Sequence, residues 1–318
     1  MFNPSVMVAA LRRYMKKHLK KDIQGYLFIS PWLIGFLLLA LGPMLLSLYM
    51  SFTHWSLLSP PQWIGLENYR QLLHDPLVGI SLWNTAWYVL FAVPLGVLLS
   101  LVLALLLNPK LKGMGQFRTI FFLPSVTNMV AVSILWMWVF NPEFGLLNRG
   151  LALLGISGPL WLQSELWAKP ALILMSLWGV GGGMIITLAG LQSIPRELYE
   201  AAQLDGARRW HRFRHITLPM LSPVLFFNLV MNTIGAFQVF TQAFVMTASS
   251  SQGQEGGPNN ATLFFVLYLY KKAFQQFKMG YASALAWLLF MIILLFTVIQ
   301  FSLSRRWVYY ESGGMDKK

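Results

Sequence analysis

Ile194-Pro-Arg-Glu-Leu-Tyr-Glu-Ala-Ala-Gln-Leu-Asp-Gly-Ala-Arg-Arg-Trp-His-Arg-Phe-Arg-His-Ile-Thr-Leu-Pro219 is a polar island between two apolar spans. It carries five arginines and three of the chain's 11 acidic residues. Connections between helices usually run about 2–8 residues, so a stretch of roughly 26 with its own helical spacing predicts a docking element. Pro195 suits a first helical turn, where its missing N–H is harmless, and Glu197 and Glu200 sit near the positive end of that helix. Leu198, Ala201, Ala202 and Asp205 recur at helical spacing, and Gly206 supplies the positive φ that stops it. A second short helix is predicted over 207–215, with Trp210 and Phe213 among Arg208, Arg209, Arg212 and Arg214, and Pro219 then opens the next span. By residue chemistry alone this glycine-elbowed pair suits either of two partners. Its arginines fit anionic lipid, and the small Ala201 and Ala202 fit close approach by a protein backbone. Catalysis by Glu197, Glu200 and Asp205 is disfavoured, because no paired base or metal-ligand spacing accompanies them.

Outward from the island the chain is apolar. Of its 318 residues 56% are hydrophobic and 11% charged, against about 25% charged in soluble domains. The apolar residues fall in blocks of about 20 or more, which predicts an all-α integral membrane protein. Six spans are read at about 26–52, 83–107, 117–140, 170–191, 220–246 and 282–303, with a kink at Gly42-Pro43 and a further proline, Pro124, inside the third. Residues 66–74 suit a short interfacial helix, 141–168 and 248–260 are outer connections, and 262–277 reads as an outer-surface helix with lysines on one side. Eighteen of the 24 lysines and arginines flank one side of the membrane and six the other. Positive charge marks the cytoplasmic side, so both termini and the 194–219 island are expected there. The net charge of +13 therefore reports topology, and no nucleic-acid partner is expected. Residues 1–25 suit either a basic amphipathic helix on the membrane lipid or a solvated tail, and 306–318 form a cytoplasmic tail. There are no cysteines, hence no disulfide or thiolate metal site.

No Gly-x-x-x-x-Gly-Lys-Ser/Thr stretch is present, and Gly181-Gly-Gly183 runs into Met184, so the chain has no phosphate-cradling loop. The six spans hold no Asp or Glu. Carriers driven by ion gradients usually carry such residues at broken helices, which weakens the alternative of a secondary transporter or channel acting without an ATPase. A solute path is expected where amides and small residues share a helix face: Asn232, Gly235, Ala236 and Val239, with Gln238 and Gln242 nearby, in the fifth span, and Trp178, Gly179 and Gly182 in the fourth. The glycines equally suit close helix packing, and the amides equally suit interhelical hydrogen bonds. Asn128 is a further polar candidate.

Glu200-Ala-Ala-Gln-Leu-Asp-Gly206, followed by Ile216-Thr-Leu-Pro219, resembles the EAA loop of permease subunits of bacterial ATP-binding-cassette (ABC) importers. Phe117-Arg-Thr-Ile-Phe-Phe-Leu-Pro-Ser125, Phe140-Asn-Pro-Glu-Phe-Gly145 and Gly280-Tyr-Ala-Ser-Ala-Leu-Ala-Trp287 are similar to the carbohydrate-uptake branch, the maltose, glycerol-3-phosphate and multiple-sugar group, and within it to the first permease type. The resemblance covers roughly residues 24–305. It implies a type I importer permease fold and an inner-membrane location. It further implies a second homologous permease, two ATPase subunits that use ATP and Mg, and an extracellular solute-binding protein, with no cofactor held by this chain. The function implied is uptake of a di- or oligosaccharide by ATP-driven alternating access. At the ATPase joint the resemblance places Glu200, Ala201, Asp205 and Gly206, flanked by Glu197, Ala202 and Arg209. On the sugar path it places Trp178, Gly179, Gly182, Asn232, Gly235, Ala236 and Val239. The connection between spans three and four is short, with no inserted extracellular domain of the maltose kind.

Overall fold

The computed structural model describes residues 25–109, 112–248 and 256–309. Residues 1–24 of the basic N-terminal segment, expected as either an amphipathic helix or a solvated tail, most of the 248–260 loop and the end of the 306–318 tail lie outside the described residues. The first span, α1 (Gly25–Ser51), stays a single helix through Gly42-Pro43. It does so by a π-turn over Phe36–Leu41, in which the Gly42 N–H donates to the Leu37 carbonyl. Widening the turn accommodates Pro43, which brings no N–H of its own.

A small hairpin follows, β1 (Thr53–His54) antiparallel to β2 (Gln62–Trp63), then the interfacial helix α2 (Glu67–His74). Buried Asn68 ties them together, donating to the carbonyls of Ser51 and Thr53 at 2.8 and 2.9 Å. The second span, α3 (Pro76–Leu106), begins well before residue 83. Asp75 caps it, accepting from the Leu77 N–H at 3.0 Å, and Pro76 suits the first turn. Arg118 closes the far end with two donations to the Leu107 carbonyl.

The third and fourth spans are each broken. In the third, α4 (Met114–Phe122) runs through a 3₁₀ turn over Leu123–Val126 and meets α5 (Met129–Val139) at 101°. Pro124 ends the first piece, and Asn128 starts the second by accepting from the Val130 N–H at 2.9 Å; this polar candidate is a helix cap. After the outer helix α6 (Leu146–Leu153), the fourth span consists of α7 (Glu165–Trp178) and α8 (Gly181–Ser193), bent by 48° at Gly179-Val180. Gly181 permits this bend to pack: a Cβ there would overlap the Phe121 carbonyl oxygen.

The polar island opens with α9 (Arg196–Leu204). The second island helix is not separate from the fifth span. A single 29-residue helix, α10 (Arg209–Phe237), contains both. A π-turn over Phe213–Thr217 precedes Pro219 as the first π-turn precedes Pro43, so the proline is absorbed and does not start a new helix. Helix α10 ends earlier than the expected 246. The chain tightens there, with Gln238 N–H donating to Gly235 and Val239 N–H to Ala236, before α11 (Thr241–Ala248).

Most of the 262–277 segment does not lie on the surface; only its end, residues 274–277, is exposed. Leu263, Phe264, Phe265, Leu267 and Tyr268 are at most 2% exposed. The helix α12 (Phe265–Tyr270), extended by a π-turn over Lys271–Gln275, packs between α3 and the sixth span, α13 (Met279–Ser304). Large apolar residues surround it on every side, the pattern of a buried helix; the two lysines mark only its end. Asp75 anchors this junction. It accepts from the hydroxyls of Tyr268 and Tyr281, the latter at 2.7 Å, and pairs with Lys272 at 3.9 Å.

Two cores result. One, around Tyr88, Trp136, Phe140, Leu172, Phe237 and Phe264, fills the end holding the hairpin and α12. The other, around Leu101, Ala104, Met184, Leu188, Leu221 and Leu225, fills the end bearing the polar island. Helix α1 buries none of its most apolar window and exposes Phe28, Trp32 and Leu39.

Candidate coupling elbow and transport cavity

The polar island forms an exposed elbow. Gly206 has φ 75°, and its N–H donates to the Gln203 carbonyl while the Ala207 N–H reaches the Ala202 carbonyl, at 3.1 and 2.9 Å. These two bonds form a Schellman turn, which needs a left-handed residue at this position. The elbow is held at its base. Tyr199 Oη and Thr217 Oγ1 are 2.9 Å apart, Arg212 donates to Gln203 Oε1 at 3.3 Å, and Tyr199 and Ile216 pack on the island-end core. Glu197, Glu200, Ala201, Asp205, Gly206 and Arg209 are all exposed, and Ala202 is half-buried. Leu204 and Trp210 are 90% and 66% exposed. These exposed apolar side chains lie beside small and acidic residues on one surface of the elbow.

A cavity of about 430 Å³ lies where the bend of the fourth span meets the end of α10, walled also by α3 and α11. Of the expected path residues, Gly179, Asn232, Gly235, Ala236 and Val239 line it. Trp178, Gly182 and Gln238 do not. Trp178 turns into two neighbouring hollows and meets Trp136 edge to face at 6.0 Å. Gly182 faces open space, and Gln238 is exposed at the end of α10.

Sequence reasoning passed over several lining residues. Asn228 lies one turn before Asn232 and bridges spans five and four, donating to Thr187 Oγ1 at 2.9 Å and the Gly183 carbonyl at 3.3 Å. Asn232 in turn donates to the Asn228 carbonyl at 2.7 Å. The i, i+4 repeat of asparagine was a readable signal. Tyr88 on α3 was not, because a tyrosine in an apolar helix has no local mark; its hydroxyl interacts with Ser176 and Gln242 across the cavity. Gly183 lines the wall where a Cβ would press on Ser100 Oγ at 2.8 Å.

No Asp, Glu, Lys, Arg or His lines this cavity, and no His/Cys/Asp/Glu cluster suited to a metal occurs among the described residues. Amides and hydroxyls in an uncharged cleft suit hydroxyl-rich, neutral groups through hydrogen bonds.

Broken helices meeting at an uncharged cavity dotted with amides and hydroxyls inside an apolar bundle define a membrane permease. Residues 92–309 match the family of binding-protein-dependent transport system inner membrane components. A probable ABC transporter permease of Bacillus subtilis, YesP, is 46% identical over 296 residues, covering 92% of this chain and 94% of its own length. The lactose transport system permease LacF of Rhizobium radiobacter is 35% identical over 303 residues, covering 93% and 97%. Among solved structures, a bacterial ABC transporter that imports the acidic polysaccharide alginate superposes with a TM-score of 0.79 at 26% identity, covering 92% of this chain and 99% of that one. The chain belongs to the binding-protein-dependent transport system inner membrane component family, and its fold is that of type I ABC-importer permeases.

Proposed function

We propose that this chain is the first-type permease subunit of a sugar importer, and that it works with a second homologous permease, two ATPase subunits and an extracellular solute-binding protein. The observation that carries the reading is α10, one helix that bears the coupling elbow at one end and the cavity wall at the other. Glu197, Glu200, Ala201, Ala202, Asp205, Gly206 and Arg209 meet the ATPase, which places both termini and the elbow in the cytoplasm. ATP and Mg are used by that partner, and this chain holds no cofactor. Movement of the elbow tilts α10, and the cavity opens alternately to the two sides. The cargo is a di- or oligosaccharide. Relatives named for lactose, arabinooligosaccharides and trehalose/maltose support that class.

The test is uptake by proteoliposomes holding the assembled complex and a panel of labelled saccharides. Transport should require ATP, the binding protein and the ATPase subunits, and reversing charge at Glu200 (Glu200→Arg) should abolish it while leaving assembly in the membrane intact. Uptake by this chain without ATPase subunits would instead establish a secondary transporter or channel.

A further inference from the structure

At the end of the molecule opposite the elbow, the hairpin, α2 and the turn before α13 enclose a second pocket of about 270 Å³. Its rim is formed by His54, Gln71, Gln276, Phe277 and Lys278, all exposed, and Trp55 stands half-buried behind them. The walls are joined by backbone contacts. Met279 and Gly280 N–H groups donate to the Trp55 carbonyl at 2.9 and 3.3 Å, and a Cβ at Gly280 would overlap the Thr53 carbonyl oxygen.

The rim itself is held in an unfavourable shape. Phe277 has φ 54°, a left-handed conformation costly for a bulky residue, yet its side chain is 48% exposed. Packing does not require it there. Backbone bonds on both sides impose the turn, from Gln276 N–H to Lys271 and from Lys278 N–H to Lys272. The turn thus fixes an exposed aromatic ring at the mouth of the pocket, beside Lys278.

The charge on the rim is unbalanced. The carboxylates nearest in the fold are engaged elsewhere, Asp75 with Lys272 and Glu67 with Arg70. Among the described residues no carboxylate pairs with Lys278.

Resting on the function proposed above, we propose that this pocket is a socket for the extracellular binding protein, taking a protruding side chain that bears a carboxylate. The carboxylate pairs with Lys278, and its stem lies against Phe277 and Trp55. The pocket lies on the α1, α2 and α13 flank, away from the α3, α8 and α10 walls of the cavity, which favours a docking contact over a step on the sugar's path.

The assay is ATP hydrolysis by the full complex in proteoliposomes, titrated with its sugar-loaded binding protein at two ionic strengths. Phe277→Gly removes the ring and suits the positive φ, so the turn persists. Lys278→Glu reverses the rim charge. Both should raise the half-saturating binding-protein concentration, Lys278→Glu by about tenfold or more, with the basal rate and the rate at saturation unchanged. Lys278→Glu should also flatten the salt dependence of the titration. Half-saturation within about twofold of the parent in both variants would overturn the socket and leave the proposed function standing. A parent complex indifferent to its binding protein would overturn the function itself. Direct sugar binding to the complex without binding protein, lost in Lys278→Glu, would replace the socket by a saccharide subsite.

Discussion

Gly206 allows the elbow to be perturbed through backbone geometry alone. A Cβ added there would meet nothing within 4 Å, so a methyl group at 206 meets no steric obstacle inside the subunit. What remains is the left-handed conformation at φ 75°, which costs an L-residue about 1–2 kcal/mol. That shifts the ratio of formed to frayed elbow by roughly 5–30-fold. Asparagine tolerates the region better than alanine. Proline cannot adopt it, since its φ is held near −65°, and it also removes the N–H that reaches Gln203 at 3.1 Å. Coupled transport should therefore fall in the order Gly, Asn, Ala, Pro. The measurement is sugar taken up per ATP hydrolysed in proteoliposomes, with the amount of assembled complex checked separately. Gly206→Pro should assemble and be uncoupled, and Gly206→Asn should keep most of the parent's coupling. Parental uptake in Gly206→Pro would refute the elbow's role. A Gly206→Ala defect as severe as that of Gly206→Pro would show that the ATPase surface, not the turn, excludes a methyl group.

Asp75→Ala should cost the assembled subunit about 3–5 kcal/mol, because it strands Lys272 in a site where both side chains are nearly buried; a thermal melt in detergent measures it. Burial alone would raise the Asp75 carboxyl, but hydrogen bonds from Tyr268, Tyr281 and the Leu77 N–H, with the Lys272 charge, outweigh this and hold it below the ordinary range. Its stabilising effect is thus fully present above the usual aspartate value of about 3.9 and fades as pH falls through the lower folded value. The parent melt should steepen in that acid window, and Asp75→Asn should flatten it. Gly181→Val drives a branched side chain into the Phe121 backbone and should separate α4 from α8, lowering thermal stability by more than Gly182→Val, which faces open space. Gln242→Ala and Asn232→Ala should lower transport of the preferred sugar at least about fivefold while ATP hydrolysis still responds to binding protein, since each removes one hydrogen-bonding group of about 1 kcal/mol or more from the cavity; unchanged sugar kinetics in both would move the path elsewhere.

The elbow was legible because its determinants are local. Pro195, the acidic first turn and Gly206 act within a few residues of one another, and each has one conformational meaning. The face of Asn232, Gly235, Ala236 and Val239 was legible for the same reason, as a repeat along one helix. Tyr88 and Ser176 were not, because what brings them to Gln242 is the packing of three different spans. The breaks in the spans were only half-written. Pro124 announced one end of the 101° bend, but Asn128 looks in sequence like any intramembrane amide and acts as a cap only once the chain has turned. The end of α10 at Phe237 has no proline to announce it. Pro43 and Pro219 misled in the opposite direction, each being absorbed by a preceding π-turn. Residues 262–273 are buried or half-buried where a surface helix was expected, because two lysines at one end hid an apolar circumference, whereas 274–277 are exposed as expected.

Helix α10 has a mechanical consequence. Its 29 residues make a rod about 43 Å long at about 1.5 Å per residue, with Arg209 at one tip and the cavity wall near the other. Under the coupling proposed above, a rotation of a few degrees at the elbow would arrive at Asn232 and Gly235 as a displacement of a few ångströms, with no intermediate relay of side chains. The compliance of such a rod lies where its hydrogen-bond ladder is interrupted, first at the π-turn over Phe213–Thr217. The Tyr199–Thr217 bond braces that softened turn, Pro223 removes a further ladder bond above it, and in the proposed coupling it is stiffness at these points, rather than affinity, that sets how much of the stroke reaches the cavity.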